Sequence, residues 1–235
     1  MLESMTTTSA VLADRTWPEV DRPLLLVPVG SLEQHGPHLP LDTDTRVARA
    51  VAEGLARILP GALVAPAVAY GSSGEHQDFA GTVSIGTAAL RAVLVEYGRS
   101  ASSWAGGIVF VNGHGGNVEA VTGAVATLRE EERAAAWTPC APDPGSAPDA
   151  HAGRTETSIL LHLAPDHVRA DRAVPGAVAP IGELLPRLRA EGVAAVSASG
   201  VLGDPTGATA EEGARLLQEM VAHARRRIDA LVAAR

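Results

Sequence analysis

Two histidines and three carboxylates fall within one fourteen-residue stretch, residues 31–44, which reads SLEQHGPHLPLDTD. The stretch follows an apolar run, Leu24–Gly30, that is typical of a buried strand. Open α/β folds place their sites where such strands end, at the carboxyl edge of the sheet. Glu33 and His35 are two residues apart, so in an extended segment their side chains point the same way. Carboxylate and imidazole ligands together favour Zn, Fe or Mn. The stretch therefore predicts one half of a metal site.

The other half is expected in later segments that place histidine beside glycine. These segments are Gly74-Glu75-His76, Gly113-His114-Gly-Gly-Asn117 and His151-Ala-Gly-Arg-Thr-Glu156. The first two follow apolar runs, and the third lies at a predicted helix start. Because parallel strands place the loops that follow them on one edge of the sheet, we expect these segments to converge although they are far apart in sequence.

Taken alone, several of these candidates have another interpretation. Asp44 could be the N-cap of a helix that starts at Thr45. The glycine loop 113–116 could bind a phosphate through backbone N–H groups, although it lacks the third glycine of a dinucleotide fingerprint. Glu156 could be a first-turn carboxylate that favours the helix dipole. His38 could be a structural hydrogen-bonding residue.

Composition excludes several other classes of protein. The net charge is −8, and the one basic cluster, Arg225-Arg226-Arg227, lies near the end of a helical pattern, so we expect neither a nucleic-acid partner nor binding to an anionic membrane. Cys140 is the only cysteine, which excludes a disulfide framework and a cysteine-based zinc site. Residues 1–10 do not resemble a secretory signal, and no apolar stretch approaches the length of a membrane span. We expect a cytoplasmic protein.

Strand and helix patterns alternate along the chain. We predict strands at 24–30, 63–70, 107–112 and 134–140, and helices at 45–59, 87–100, 118–133, 153–163, 182–190 and 209–234. The proline-rich segment 139–149 is predicted to be a loop. This alternation predicts the α/β class, as a three-layer α/β/α sandwich with a mostly parallel sheet. Residues 1–22 are expected to be a loosely ordered lead-in, and residues 23–235 a single domain.

The chemistry-bearing segments together resemble the creatininase family, whose members are metal-dependent amidohydrolases with an α/β/α fold and are often hexamers. The resemblance lies in the motif from Glu33 to Asp44, in Gly74-Glu75-His76 with Gly81-Thr82, in Asn112-Gly-His114-Gly-Gly-Asn117, and in His151-Ala-Gly153 with Glu156-Thr-Ser158. All four segments occur in the family's order over about 130 residues. The resemblance implies a creatininase-like fold, a homo-oligomer and two divalent metal ions per subunit, of Zn, Fe(II) or Mn(II).

The resemblance also implies individual roles. Glu33, Asp44 and His114 would hold one ion, and His35, Asp44 and Glu156 the second, with Asp44 as the bridge. Asp44 is preferred over Asp42 because the second aspartate of Asp-Thr-Asp matches the family's ligand. His151 is the expected proton donor to the leaving nitrogen. These roles imply attack of an activated water on an amide carbonyl.

Two departures from the family pattern stand out. Ala80 replaces the usual proline before Gly81-Thr82, and this change is expected to affect only loop stiffness. Gly116 stands where creatininase itself has a metal-binding glutamate, two residues after the histidine. The resemblance therefore leaves one ligand position open, and Glu156 is the expected residue to fill it.

The segments 70–77, 82–86 and 200–209 resemble a subgroup of the family that consists of peptidases. The resemblance implies a modified precursor peptide as the substrate, cut near its C-terminus to release a dipeptide-derived core. The alternatives are a family amidohydrolase acting on creatinine or on a formylamino-pyrimidine, a non-catalytic metal-binding subunit, and a mononuclear iron oxidoreductase. Gly116 disfavours creatininase itself, and five candidate ligands are too many for the mononuclear site.

Overall fold

Four parallel strands carry the site at one edge of their sheet. The computed structural model describes residues 10–142 and 149–233. The strands are β1 (Leu24–Val29), β2 (Leu63–Val64), β3 (Gly107–Asn112) and β4 (Ala135–Pro139), in the spatial order β2-β1-β3-β4. The central strands β1 and β3 are almost wholly apolar because both of their faces are covered. The predicted parallel sheet is therefore confirmed.

Seven α-helices surround the sheet in the described part of the chain. They are α1 (Thr43–Ile58), α2 (Gly86–Ala101), α3 (Val118–Glu130), α4 (Arg154–Leu163), α5 (Ile181–Glu191), α6 (Val193–Val196) and α7 (Ala210–Ala233). One core cluster packs α1, α4 and α7 against one face of the sheet, and a second packs α2 and α3 against the other. The predicted three-layer α/β/α sandwich is confirmed. Within the described chain, no helix combines the length and the apolar character needed to cross a membrane.

The second predicted strand is wrong in length. The expected run 63–70 contains only the two residues of β2, followed by an isolated bridge between Val68 and Val29. Pro66 interrupts the run, and a proline cannot donate a ladder hydrogen bond. The chain therefore leaves the sheet early and reaches the site as an irregular loop.

The observed start of α1 rules out the alternative in which Asp44 is a helix N-cap. The helix begins at Thr43, so Asp44 lies in its first turn and is not the N-cap. Residues 143–148 of the predicted loop 139–149, and residues 1–9 of the lead-in, lie outside the described residues. Within the lead-in, Leu12–Asp14 and Trp17–Glu19 form short 3-10 helices. The division into lead-in and domain stays a prediction.

Two glycines allow α1 to approach the ends of the central strands. A Cβ atom on Gly30, which follows β1, would lie 2.5 Å from the Cα atom of Thr45. A Cβ atom on Gly113, which follows β3, would lie 2.4 Å from the carbonyl oxygen of Asp44. Since real Cβ atoms do not approach backbone atoms so closely, only glycine permits this packing. It places Asp44 beside the loops that follow both strands.

Candidate metal centre

The six residues predicted to form the site come together at the carboxyl edge of the sheet. Glu33 and His35 follow β1, Asp44 lies in the first turn of α1, and His114 follows β3. His151 precedes α4, and Glu156 lies in the first turn of that helix. Ligand-type atoms lie within 4.8 Å of one another in three sets of residues: Glu33, His35 and Asp44; His35, His151 and Glu156; and Glu33, His76 and His151.

Asp44 lies between two histidines. Its Oδ1 atom is 3.1 Å from Nε2 of His35, and its Oδ2 atom is 3.3 Å from Nδ1 of His114. Glu33 contacts the same histidine from the other side, with Oε2 3.2 Å from Nε2 of His114. Glu156 Oε2 lies 3.9 Å from Nε2 of His35 and accepts a hydrogen bond from the backbone N–H of Ala152. The carboxylates therefore alternate with the imidazoles.

The hydrogen bonding of the buried carboxylates is incomplete in a way that fits cation binding. Glu33 is 0% exposed, yet neither of its carboxylate oxygens has a hydrogen-bond partner among the described residues. Oδ2 of Asp44 is likewise buried without one. Buried charges in proteins are paired or coordinate metals. Oxygen and imidazole donors in this arrangement suit Zn, Fe or Mn, so the residues present fit a metal centre.

The protein alone balances these charges with protons. Burial by itself would lower the pKa of His35, but the carboxylate of Asp44 raises it to about 10. Burial would also lower the pKa of His114, but Glu33, Asp44 and Glu75 together raise it to about 10. Burial raises the pKa of Glu33 to about 7. A bound cation takes the place of such protons, which couples metal binding to proton release.

His151 is a neutral side chain with a defined proton position. Burial, together with the neighbouring His35, holds its pKa well below the ordinary value. Its Nε2 atom lies 2.8 Å from the backbone oxygen of Gln34 and 3.1 Å from the side-chain amide nitrogen of the same residue, whose two protons are directed to His76 and Gly200. Because a carbonyl oxygen only accepts, Nε2 carries the ring proton and donates it there. The unprotonated Nδ1 atom then faces the centre, 3.7 Å from Oε1 of Glu33.

Sequence reasoning included His76 only as part of the loop 74–76 and did not single out Gln34; both side chains lie within the cluster. The side-chain amide of Gln34 donates to Nδ1 of His76 (2.9 Å) and to the carbonyl oxygen of Gly200 (3.1 Å), while its oxygen accepts from the N–H of Gly36 (2.8 Å). Nε2 of His76 must then carry that ring's proton, and it points at Oε1 of Glu33, 3.4 Å away. The glycine–histidine loop 74–76 was the available signal for His76.

The other polar residues of the opening stretch lie outside the cluster. His38 is buried, and its Nε2 atom shares a hydrogen bond with the Thr157 hydroxyl at 2.9 Å. This contact agrees with the structural interpretation of His38. Asp42 is half-exposed and pairs with Arg46 at 2.7 Å. The preference for Asp44 over Asp42 as a candidate ligand therefore agrees with the geometry.

The fold and this cluster define the class of protein. The model of the family described as "Creatininase: Creatinine amidohydrolase" matches residues 13–228, and the chain belongs to that family. A manganese creatininase structure superimposes with a TM-score of 0.75 at 27% identity, covering 94% of this chain and 98% of that one. A creatininase variant described as the Zn-Zn type also superimposes with a TM-score of 0.75, at 28% identity and the same coverage. The resemblance to the creatininase family is confirmed.

Sequence comparison gives a more particular similarity. The chain is 63% identical over 205 residues to the mycofactocin precursor peptide peptidase of Mycolicibacterium smegmatis, covering 85% of this chain and 81% of that protein. It is 60% identical to the protein of the same name from Mycobacterium tuberculosis H37Rv, covering 88% and 84%. Identity to the creatinine amidohydrolase of Pseudomonas putida is 31%, covering 91% and 94%.

Proposed function

We propose that this chain is a metal-dependent peptidase that hydrolyses an amide bond near the C-terminus of the mycofactocin precursor peptide and releases a dipeptide-derived core. Identity of 58–63% to relatives named as peptidases of that precursor supports the substrate. Within the site, metal dependence is supported most directly by Glu33. Its carboxylate is wholly buried, and its two oxygens lack hydrogen-bond partners in the described chain. In the metal-free protein, protonated His114 is the charge partner of Glu33 at 3.2 Å, and the metal ions of an amidohydrolase site would take over that role.

The residues that would hold two divalent ions are those of the alternating cluster. Glu33, Asp44 and His114 would bind one ion, and His35, Asp44 and Glu156 the other. When bound, Zn, Fe(II) or Mn(II) polarises an amide carbonyl and lowers the pKa of water from 15.7 towards about 7. The chain's own contribution is to fix the positions of the donors and to exclude solvent. Except for Glu156, these ligand candidates are buried.

His151 is the residue that would transfer the proton during hydrolysis. Its Nε2–H is held by the backbone oxygen of Gln34, so Nδ1 is the atom with a free lone pair at the centre. Nδ1 can accept the proton that the attacking water loses and pass it to the leaving nitrogen of the scissile amide. A neutral imidazole is required for the first of these two transfers, and the lowered pKa of His151 provides it.

The peptide is expected to approach from the side of the exposed carboxylates. The Glu156 side chain is 24% exposed and that of Glu75 is 33% exposed, whereas Glu33 and Asp44 are closed to solvent. We therefore propose that solvent and peptide enter between the start of α4 and the loop that follows β2. We also propose a homo-oligomer, a hexamer by the family resemblance, and a cytoplasmic location.

A substrate comparison tests this function. The metal-loaded protein is incubated with the modified precursor peptide ending in Val-Tyr, with creatinine and with a formylamino-pyrimidine, and products are identified by mass spectrometry. We expect cleavage of the peptide alone. Turnover of creatinine or of the formamide without peptide cleavage would assign the chain to a different activity in the same family. Absence of bound metal in a fully active preparation would contradict the metal-dependent mechanism.

A further inference from the structure

We propose that Glu75 is a fourth carboxylate of the metal centre and completes the ion position formed by Glu33 and His114. This inference deepens the proposed function and rests on it. Glu75 lies in the short 3-10 helix Gly74–His76 after β2. Its Oε1 atom is 3.6 Å from Nε2 of His114, the same nitrogen that Oε2 of Glu33 approaches to 3.2 Å. Two carboxylates from different loops thus face one imidazole nitrogen.

The space around Gly116 explains why a carboxylate from another loop can reach this nitrogen. A Cβ atom on Gly116 would lie 2.3 Å from the carbonyl oxygen of Ser72, 2.5 Å from Nε2 of His114 and 2.7 Å from Oε1 of Glu75. The volume that a side chain at position 116 would need is therefore occupied by the loop that carries Glu75. Because Gly116 has no side chain, the Glu75 carboxylate has room to lie beside His114.

The two loops are fixed to each other, so the position of Glu75 is built in. The backbone N–H of Ser72 donates to Oδ1 of Asn117 at 2.8 Å, and the carbonyl oxygen of Ser72 lies 3.1 Å from Nε2 of His114. The N–H of Ser73 donates to the hydroxyl of Ser84 at 2.9 Å. In the described chain, His114 is the ion-pair partner of the Glu75 carboxylate, and no stronger contact draws that carboxylate away.

Charge balance favours the same assignment. Two divalent ions carry four positive charges, and the histidines of the cluster are neutral when they bind a metal. Glu33, Asp44 and Glu156 supply three negative charges, and Glu75 supplies the fourth. Glu156 lies beside His35 and Glu75 beside His114, so each ion position would gain one partly exposed carboxylate.

The test compares metal binding by wild type, E75Q and the matched control D78N, which removes an exposed carboxylate three residues further along the chain. Each protein is loaded with Zn²⁺ and dialysed, its zinc is counted by mass spectrometry, and affinity is measured against a chelating indicator. We expect wild type and D78N to hold two ions. In E75Q one ion should bind at least about tenfold more weakly, the lower end of the effect of losing even an outer-shell partner.

A second readout does not depend on affinity. In the Co²⁺-substituted proteins, the visible absorption bands should shift in E75Q and remain as in wild type in D78N, with unchanged circular dichroism in both. Equal zinc affinity and equal Co²⁺ spectra for E75Q and wild type would overturn the assignment of Glu75. That result leaves the proposed function intact, because wild type would still bind two ions. A wild-type protein that binds no metal would instead overturn the proposed function.

Discussion

Oδ2 of Asp44 lies 3.3 Å from Nδ1 of His114, although Asp44 comes from the first turn of α1 and His114 from the loop after β3. The other oxygen of the same carboxylate lies 3.1 Å from Nε2 of His35. One buried carboxylate thus faces two histidines with its two oxygens. This arrangement supports the proposal that Asp44 bridges two metal ions.

Replacing Asp44 by asparagine tests the bridge. D44N keeps the shape of the side chain but removes the charge that both proposed ion positions share. We expect metal affinity to fall by more than about 100-fold, beyond the range typical of an outer-shell partner, and hydrolysis to be lost with it. Metal content and peptide cleavage are measured on the same preparation. D42N is the matched control, since Asp42 is half-exposed and pairs only with Arg46 in the described structure, and it should retain both properties.

The contact between Gly113 and Asp44 makes a second prediction possible. G113A places a Cβ atom 2.4 Å from the carbonyl oxygen of Asp44, so α1 must move away from the end of β3. We expect a loss of about 1–3 kcal/mol in the free energy of unfolding, as for other overpacked sites, together with weaker metal binding. Chemical denaturation and zinc titration measure the two effects.

The control for this variant lies two residues further along the same loop. A Cβ atom on Gly115 would meet no atom within 4 Å, so G115A should unfold and bind metal as wild type does. Equal stability of G113A and G115A would show that the close approach of α1 to β3 does not position Asp44.

Sequence reasoning located the site because its candidate ligands stand in short loops after apolar strands, at Glu33, His35 and His114. A strand that ends in polar, glycine-rich sequence is a local feature, and parallel packing brings such ends together. The role of Gln34 could not be predicted, because its partners His76 and Gly200 are 42 and 166 residues away. The shortened β2 and the space beside Gly116 likewise depend on tertiary packing. Local pattern thus identified the candidate ligands, and the fold determined their neighbours.

The hydrogen bonds of His151 lead to a third prediction. H151A removes the nitrogen that would carry the proton to the leaving group, so we expect turnover to fall by about 10²–10⁴-fold. Its metal content should remain at the wild-type value if its role is proton transfer. H162A, which changes an exposed histidine of α4, should have normal turnover. Loss of one metal ion in H151A would identify His151 as a ligand and contradict its role as proton carrier.

Gln34 provides a separate test, of the proton position on His76. In Q34E the side chain can no longer donate to Nδ1 of His76, so that nitrogen must take the ring proton and Nε2 loses the one that faces Glu33. We expect a lower kcat with little change in KM. The ¹⁵N chemical shifts of the His76 ring in the zinc-loaded protein should show the change of tautomer. An unaltered His76 tautomer in Q34E would show that Gln34 does not set it.

The charge state of the histidines predicts how the stability of the metal-free protein depends on pH. His35 and His114 have pKa values of about 10 in the folded protein because Asp44 and Glu33 outweigh burial, against an ordinary value of 6.5. Their protonated forms therefore stabilise the fold. This stabilisation is complete below pH 6.5 and is lost progressively as the pH rises towards 10. The raised pKa of Glu33 acts in the same direction between pH 4.5 and about 7, because ionisation of this buried carboxyl costs stability.

The free energy of unfolding of the chelator-treated protein should consequently fall between pH 6.5 and 8.5, by up to about 1.4 kcal/mol per pH unit for each histidine. His76, whose pKa is lowered to about 3 by burial, acts in the opposite direction near pH 6.5, because its unfolded form is still losing protons there, and this contribution is complete by about pH 7.5. Denaturation by guanidinium at pH 6.5, 7.5 and 8.5 measures the fall. Zinc-loaded protein is the control and should show a smaller fall or none, because metal binding has already displaced the protons. Stability of the metal-free protein that stays constant or rises over this range would contradict the predicted protonation of His35 and His114.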